Sequence, residues 1–362
     1  MSLVSRTAIA TIDLAAVRHN YRRLKQISPD QKVMAVVKAN AYGHGLVRVS
    51  QALIDIADGY AVATVSEAMI LRQSGIRQPV TVLQGFQTPD ELHLCQQYDL
   101  WPTVFQAEHI RWLEQAKSPG LSNLTVWLKI NTGMNRLGVA LDTADEYLAR
   151  LQDLSVNVQL MSHMANADED DPADPDSKTQ QQFFAFKQLV DQYSLSASLA
   201  NSATLSWPCS YRWVRPGIHL YGVTRLDQTD YRPVMTLTTK VLAIYSLQAG
   251  DSVGYGGQWT ALSATEMAVL AIGYGDGYPR HASNGTPILI NGHRYPLIGR
   301  VSMDMITVDL GLQHGVSIGD QAVLWGCNLS VNEVADYAET IGYELLCGIS
   351  GRVHYQYEDT ED

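Results

Sequence analysis

The chain has 362 residues, 46% of them hydrophobic, with a formal charge of −11 and a pI near 5.3. That length supports one large domain plus a smaller one, and the acidic balance argues against nucleic acid or anionic membrane as the main partner. No run reaches the ~18 apolar residues of a membrane span. The N-terminus lacks the basic-then-apolar pattern of a signal peptide. Cys95, Cys209, Cys327 and Cys347 show no CxxC spacing, so no metal site is expected, and they read as buried or free thiols in the cytoplasm.

Residues 12–26 carry helical periodicity through Leu14, Val17, Tyr21 and Leu24, with Asp13 as the N-cap. Strands are expected at 33–37, 59–63, 80–83, 100–104, 124–130, 156–161, 196–199 and 213–214. Helices fall between them at 46–56, 65–73, 89–97, 107–116, 143–151 and 180–191, with another beginning near Ser202. Strands alternating with helices through short connections argue a parallel sheet, and eight such strands fit a (β/α)8 barrel better than an open doubly wound sheet. Periodicity alone does not separate the two. The acidic loop 167–177, with two prolines, reads as a solvated surface loop, with a lid as the alternative.

Beyond residue 231 the texture changes to short β-branched runs at 234–247, 266–272, 287–290, 295–298, 305–310 and 321–325, with one helical stretch at 331–342. Asn291-Gly292 is a hairpin signal. The fold class is therefore α/β, an N-terminal (β/α)8 TIM barrel over residues 1–230 followed by a mostly-β domain, a small barrel or sandwich, over 231–362.

Several strand ends carry side chains suited to chemistry. The apolar strand 33–37 ends in Lys38, followed by Tyr42 and the Gly43 and Gly45 turn. An amine at the carboxyl end of a parallel strand sits where such folds place their active sites; the bland alternative is a solvent-pointing strand cap. To act as a nucleophile it needs desolvation or nearby positive charge. Lys129 lies inside an apolar strand, where an unpaired amine is costly, and Arg136 follows as a fork able to grip a carboxylate or oxygen anion. His163 ends the sixth strand and, alone, reads as structural. Asn201 and Ser202 follow the seventh strand, and Arg215, Gly217 and Ile218 the eighth. Phosphates in barrel enzymes are frequently held after these two strands; the alternative is an ordinary cap and turn. In the β region, glycines flank Tyr255 and punctuate 273–278, which holds Tyr274; Gly299-Arg300-Val301-Ser302-Met303-Asp304 follows.

Residues 33–45, the run 128–138, Ser162-His163, Ala200-Asn201-Ser202, Val214-Arg215-Pro216-Gly217-Ile218, 253–257, 273–278 and 299–305 together resemble the pyridoxal-phosphate-dependent alanine racemases, most closely the proteobacterial form. The resemblance implies that Lys38 carries the cofactor covalently and that Tyr42, Arg136, His163, Asn201, Ser202, Arg215, Gly217 and Ile218 bind it, with Arg215 against the pyridine nitrogen. Arg136, Tyr274, Met303 and Asp304 would meet the substrate, Lys38 and Tyr255 would be the two bases, and Lys129 would be open to carbamylation. It further implies a homodimer with shared sites that supplies D-alanine for peptidoglycan. Two positions depart from the pattern: Gly351 lies where some members have a tyrosine, and Ser302 is often cysteine in relatives. The departures leave a serine-preferring or broad-specificity racemase as the nearest alternative. A decarboxylase is disfavoured by Arg215, and a non-catalytic pyridoxal-phosphate homeostasis protein by the added β region.

Overall fold

The structure, a computed structural model, describes residues 7–116, 123–171, 174–205, 207, 211–225 and 230–359. Two compact units emerge: residues 21–41 with 46–220, and residues 1–20, 42–45 and 221–362.

The first unit is the barrel. Its strands are β2 (Lys32–Val36), β3 (Gly59–Val62), β4 (Val80–Val82), β5 (Leu100–Val104), β6 (Thr125–Asn131), β8 (Asn157–Met161), β9 (Ala197–Ser198) and β10 (Trp213–Val214); the short β7 (Val139–Ala140) adds onto β6. They pair in parallel in the order β5-β4-β3-β2-β10-β9-β8-β6, and β5 pairs with β6 to close the ring. Closure decides between the two architectures that periodicity left open. Crossover helices α2 (Leu46–Ala52), α3 (Val65–Gln73), α4 (Pro89–Gln97), α5 (Ala107–Ala116), α6 (Ala144–Asp153) and α7 (Lys178–Tyr193) surround it. Thr64 caps α3 in a reciprocal box with Glu67, Thr88 caps α4 ahead of a proline, and Ser177 caps α7. Strands buried on both faces explain their near-continuous apolar runs. Inside, Trp127 Nε1 donates to Thr81 Oγ1 at 2.9 Å, and Trp101 lies edge-on to Trp213 at 5.6 Å.

The second unit contains a closed antiparallel ring of six strands: β11 (Met235–Leu247), β14 (Thr265–Leu270), β17 (Ile306–Gly311), β16 (His293–Ile298), β15 (Pro287–Ile290) and β18 (Gln321–Trp325), which returns to β11. A small barrel, not a sandwich, is thus formed. β11 is long enough to serve two neighbours because irregularities after Leu237 and Val241 bend it. Asn291 and Gly292 take φ of 51° and 79° between β15 and β16, as a two-residue hairpin requires. The short pair β12 (Ser252–Val253) and β13 (Trp259–Thr260) brackets Tyr255.

Three expectations are corrected. Residues 9–13 form β1 (Ile9–Asp13), antiparallel to β11 and parallel to β19 (His354–Glu358); helix α1 (Leu14–Ile27) starts only after it. Ala10 and Ile12 alternate into the core, a period-2 signal too short to register beside the helical one that follows. Asp13 does cap α1, its Oδ1 accepting from Ala16 N at 2.8 Å. The stretch 331–342 splits into α8 (Val331–Tyr337) and the start of α9 (Gly342–Cys347). No helix begins at Ser202 among the described residues: residues 202–204 form a turn, since Asn201 Oδ1 draws in the amides of Ala203 and Thr204. The described part of the acidic loop is largely exposed, as a solvated loop should be. Cys95 is buried, Cys327 and Cys347 are exposed, none of these three is in a disulfide, and Cys209 lies outside the described residues.

Candidate active site

Lys38 sits two residues past β2, half-buried. The backbone after it is unusual: Ala39, Asn40, Ala41 and Tyr42 take φ of 52°, 54°, 55° and 50°. Left-handed geometry costs about 1–2 kcal/mol for each such residue, so the surroundings must impose it. They do so through Glu67, whose carboxylate accepts from Ala39 N at 2.8 Å and from Ala63 N at 2.7 Å, and through Asn40 Oδ1, which accepts from Leu46 N at 2.9 Å. The glycines of this turn were legible in the sequence; the left-handed run before them was not, since only Asn40 belongs to a residue type that favours it.

Around the carboxyl end of the barrel, positive charge accumulates. Lys129 shares the inward face of β6 with Trp127 and is buried. Burial, reinforced by Arg215, Arg136 and Lys38, lowers its amine to about 7. Arg215 is 5% exposed, and burial lowers it to about 10, which leaves it protonated at neutral pH. Its guanidinium donates to the Ser162 carbonyl at 2.6 Å and to Ser198 Oγ. Among the described residues no carboxylate forms an ion pair with Arg215 or Lys129. His163 is driven far below its ordinary value by burial and then by Arg215, Lys129, Arg136 and Lys38, so its ring stays neutral. Arg136, by contrast, is exposed. A buried cationic basin of this kind is costly unless it receives an anion.

Beside the basin, Ser202 Oγ accepts from Gly217 N at 2.9 Å and lies 3.5 Å from His219 N. The loops after β9 and β10 thus converge, with Ile218 opening a short 3-10 turn (Ile218–Tyr221). Tyr42 packs on Tyr221 and Tyr343, with ring centroids 4.9 and 5.7 Å apart, and burial holds its phenol protonated.

The remaining predicted residues gather in the second unit. Tyr255 stands between glycines with φ of 71° at Gly254 and 74° at Gly256, and is 72% exposed, so the turn displays the phenol. Tyr274 N donates to the Ser302 carbonyl at 3.0 Å and Gly275 N to the Met303 carbonyl at 2.9 Å, which stacks the turn of Tyr274 on that of Met303 and Asp304. A side chain at Gly273 would meet the Ser302 oxygen at 2.2 Å, so only glycine permits this approach. Sequence reasoning missed Arg352. It ion-pairs with the fully buried Asp276 at 3.3 Å and with Asp304 at 2.5 Å, tying both turns together. Its one signal was position, next to Gly351.

Two family models match the chain. "Alanine racemase, N-terminal domain" matches residues 12–225 and "Alanine racemase, C-terminal domain" residues 234–357. The chain is 44% identical to an alanine racemase of Vibrio cholerae, over 97% of this chain and 98% of that one, and 45% identical to one of Aeromonas hydrophila, over 97% and 99%. Among solved structures it is similar to the biosynthetic alanine racemase of Pseudomonas aeruginosa, with a TM-score of 0.92 and 40% identity over 98% of this chain and 99% of that chain. The Acinetobacter baumannii alanine racemase gives 0.91 and 38% over 98% and 100%.

Proposed function

The chain belongs to the alanine racemase family, and we propose that it is a pyridoxal-phosphate enzyme that interconverts L- and D-alanine with Lys38 and Tyr255 as opposed bases. The observation that carries the cofactor reading is the buried pair Arg215 and Lys129, to which no carboxylate among the described residues is ion-paired, set beside the Ser202–Gly217 convergence. Such a pair fits a phosphorylated, anionic group. Ser202, Gly217 and Ile218 would hold its phosphate, with Asn201 and Tyr42 alongside, and Arg215 would face its ring, steadied by His163. When bound, pyridoxal phosphate supplies an electron sink that acidifies the substrate α-proton. Arg215 keeps its own proton at neutral pH, so it donates a hydrogen bond without protonating its partner. That tempers the sink and favours rapid reprotonation.

The chain's own groups do the rest. Arg136 grips the substrate carboxylate. Lys38 serves one face of the α-carbon and Tyr255 the other, since inversion requires proton removal and delivery on opposite sides. Lys129, with its amine lowered to about 7, is open to carbamylation, which would give Arg136 an anionic partner.

Tyr255 at 72%, Met303 at 52% and Met305 at 44% exposure leave phenol and apolar surface in water. This supports a homodimer in which the β unit of one copy completes the barrel site of the other, with Tyr274, Met303 and Asp304 at the substrate entrance. No helix among the described residues is long and apolar enough to cross a membrane. We read the enzyme as cytoplasmic and its product as D-alanine for peptidoglycan. The C-terminal match over 234–357 disfavours the non-catalytic homeostasis reading. A serine-preferring or broad-specificity racemase stays as the second reading, because a Cβ at Gly351 meets nothing within 4 Å. The deciding experiment is a coupled assay of D-enantiomer formation from L-alanine and L-serine side by side. Failure to form D-alanine with pyridoxal phosphate present overturns the proposal, and faster turnover of serine selects the second reading.

A further inference from the structure

Gln182 lies on the inner face of α7, with Thr179, Phe186 and Leu189, and is 3% exposed. Every polar atom of its carboxamide is used. Nε2 donates to Thr132 Oγ1 at 3.2 Å and to the His163 carbonyl at 3.1 Å, while Oε1 accepts from Ala165 N at 2.9 Å. Thr132 and Ser162 hydroxyls lie 2.9 Å apart, and Ser162 Oγ donates to the Ile130 carbonyl at 2.8 Å. The Ser162 proton is thus committed to Ile130, so the Thr132 proton must go to Ser162, and Thr132 must accept from Gln182. A one-way chain results: Gln182 to Thr132 to Ser162 to the Ile130 carbonyl. The carbonyl of the same Ser162 receives the Arg215 guanidinium.

We propose that Gln182 is a positioning residue for racemisation: it locks the loop that carries Arg136 against the loop that carries His163 and, through Ser162, fixes the seat of Arg215. The proposal rests on the cofactor reading above, in which Arg215 and His163 lie against the bound ring. The chain is directional because the Ser162 proton is committed to the Ile130 carbonyl, and the Gln182 carboxamide supplies both donors at its start. Loss of the donors leaves Thr132 and the His163 carbonyl short of a partner in a part-buried site. A small misplacement of the reacting groups then slows chemistry more than it weakens binding.

The test uses full-length holoenzyme carrying Gln182→Met, which conserves volume and removes all three bonds, and Gln182→Glu, which keeps the acceptor and removes the donors. Thr132→Val breaks the chain one step on and stands in if a Gln182 variant fails to fold. The expected result is a kcat lowered by about tenfold to a hundredfold, a KM for alanine moved less than about twofold, and an altered absorbance spectrum of the bound pyridoxal phosphate. Gln182→Glu should regain part of its loss as pH falls, because the protonated carboxyl again donates. Wild-type kcat and spectrum in Gln182→Met, or a Gln182→Glu pH profile of wild-type shape, overturns the proposal. A wild-type protein that binds no pyridoxal phosphate would instead overturn the cofactor reading.

Discussion

Lys129 offers the sharpest quantitative prediction. An ordinary lysine, near 10.5, is neutral in only about one molecule in 3,000 at pH 7. With its amine lowered to about 7 by burial and by Arg215, Arg136 and Lys38, roughly half of Lys129 is neutral there, a gain of about a thousandfold in the form that attacks carbon dioxide. The amine adds to the carbon of CO2, one proton leaves to solvent, and a carbamate anion remains inside the cationic basin. Occupancy should therefore rise as pH rises through about 7. The assay is 13C NMR of the protein in labelled bicarbonate from about pH 6 to pH 8, with Lys129→Met as the control. A protein carbamate resonance should grow with pH and be absent from the variant, and kcat of the wild type should fall when bicarbonate is removed. No labelled carbamate at about pH 8, or a Lys129→Met enzyme with wild-type kcat, refutes the reasoning. The linkage has the matching sign. A base depressed in the folded state lets the unfolded chain protonate first, so stability declines as pH falls from about 10.5 to about 7 and is flat below.

Tyr255→Ala should abolish racemisation and leave pyridoxal phosphate bound, read by activity and visible absorbance; retained activity in both directions removes Tyr255 from the mechanism. If the space around Gly351 admits larger substrates, Gly351→Tyr should lower the serine-to-alanine rate ratio, and an unchanged ratio refutes that reading. His109 is fully buried between Phe86 and Phe105, ring centroids 4.6 and 4.5 Å away, and burial lowers it to about 4. The unfolded chain binds its proton first, so stability should fall as pH drops from about 6.5 through about 4, by at most about 3 kcal/mol. His109→Leu should flatten that slope in urea unfolding; an unchanged slope would sink the assignment.

The chain by itself determined the alternation of strands and helices, and with it the positions of the strand ends. Helices α3, α4 and α5 begin and end where Thr64, Thr88-Pro89 and the apolar stripes place them, because caps and periodicity are local signals. Lys38, Arg136, His163 and Arg215 were legible for the same reason: each is a charged or titratable group where a strand runs out. Non-local pairing was not legible. β1 exists because β11 and β19, both more than 200 residues away along the chain, flank it, and five residues carry too little pattern to announce that. Likewise, Gln182 looks like any helical glutamine until burial aims it at Thr132 and His163, and Arg352 looks like a surface charge until folding brings Asp276 and Asp304 to it. Tertiary structure alone decided that the sheet of the first unit closes, and that Lys129, a liability in an apolar strand, is buried among cations, so that burial first and Arg215, Arg136 and Lys38 second lower its amine toward neutrality.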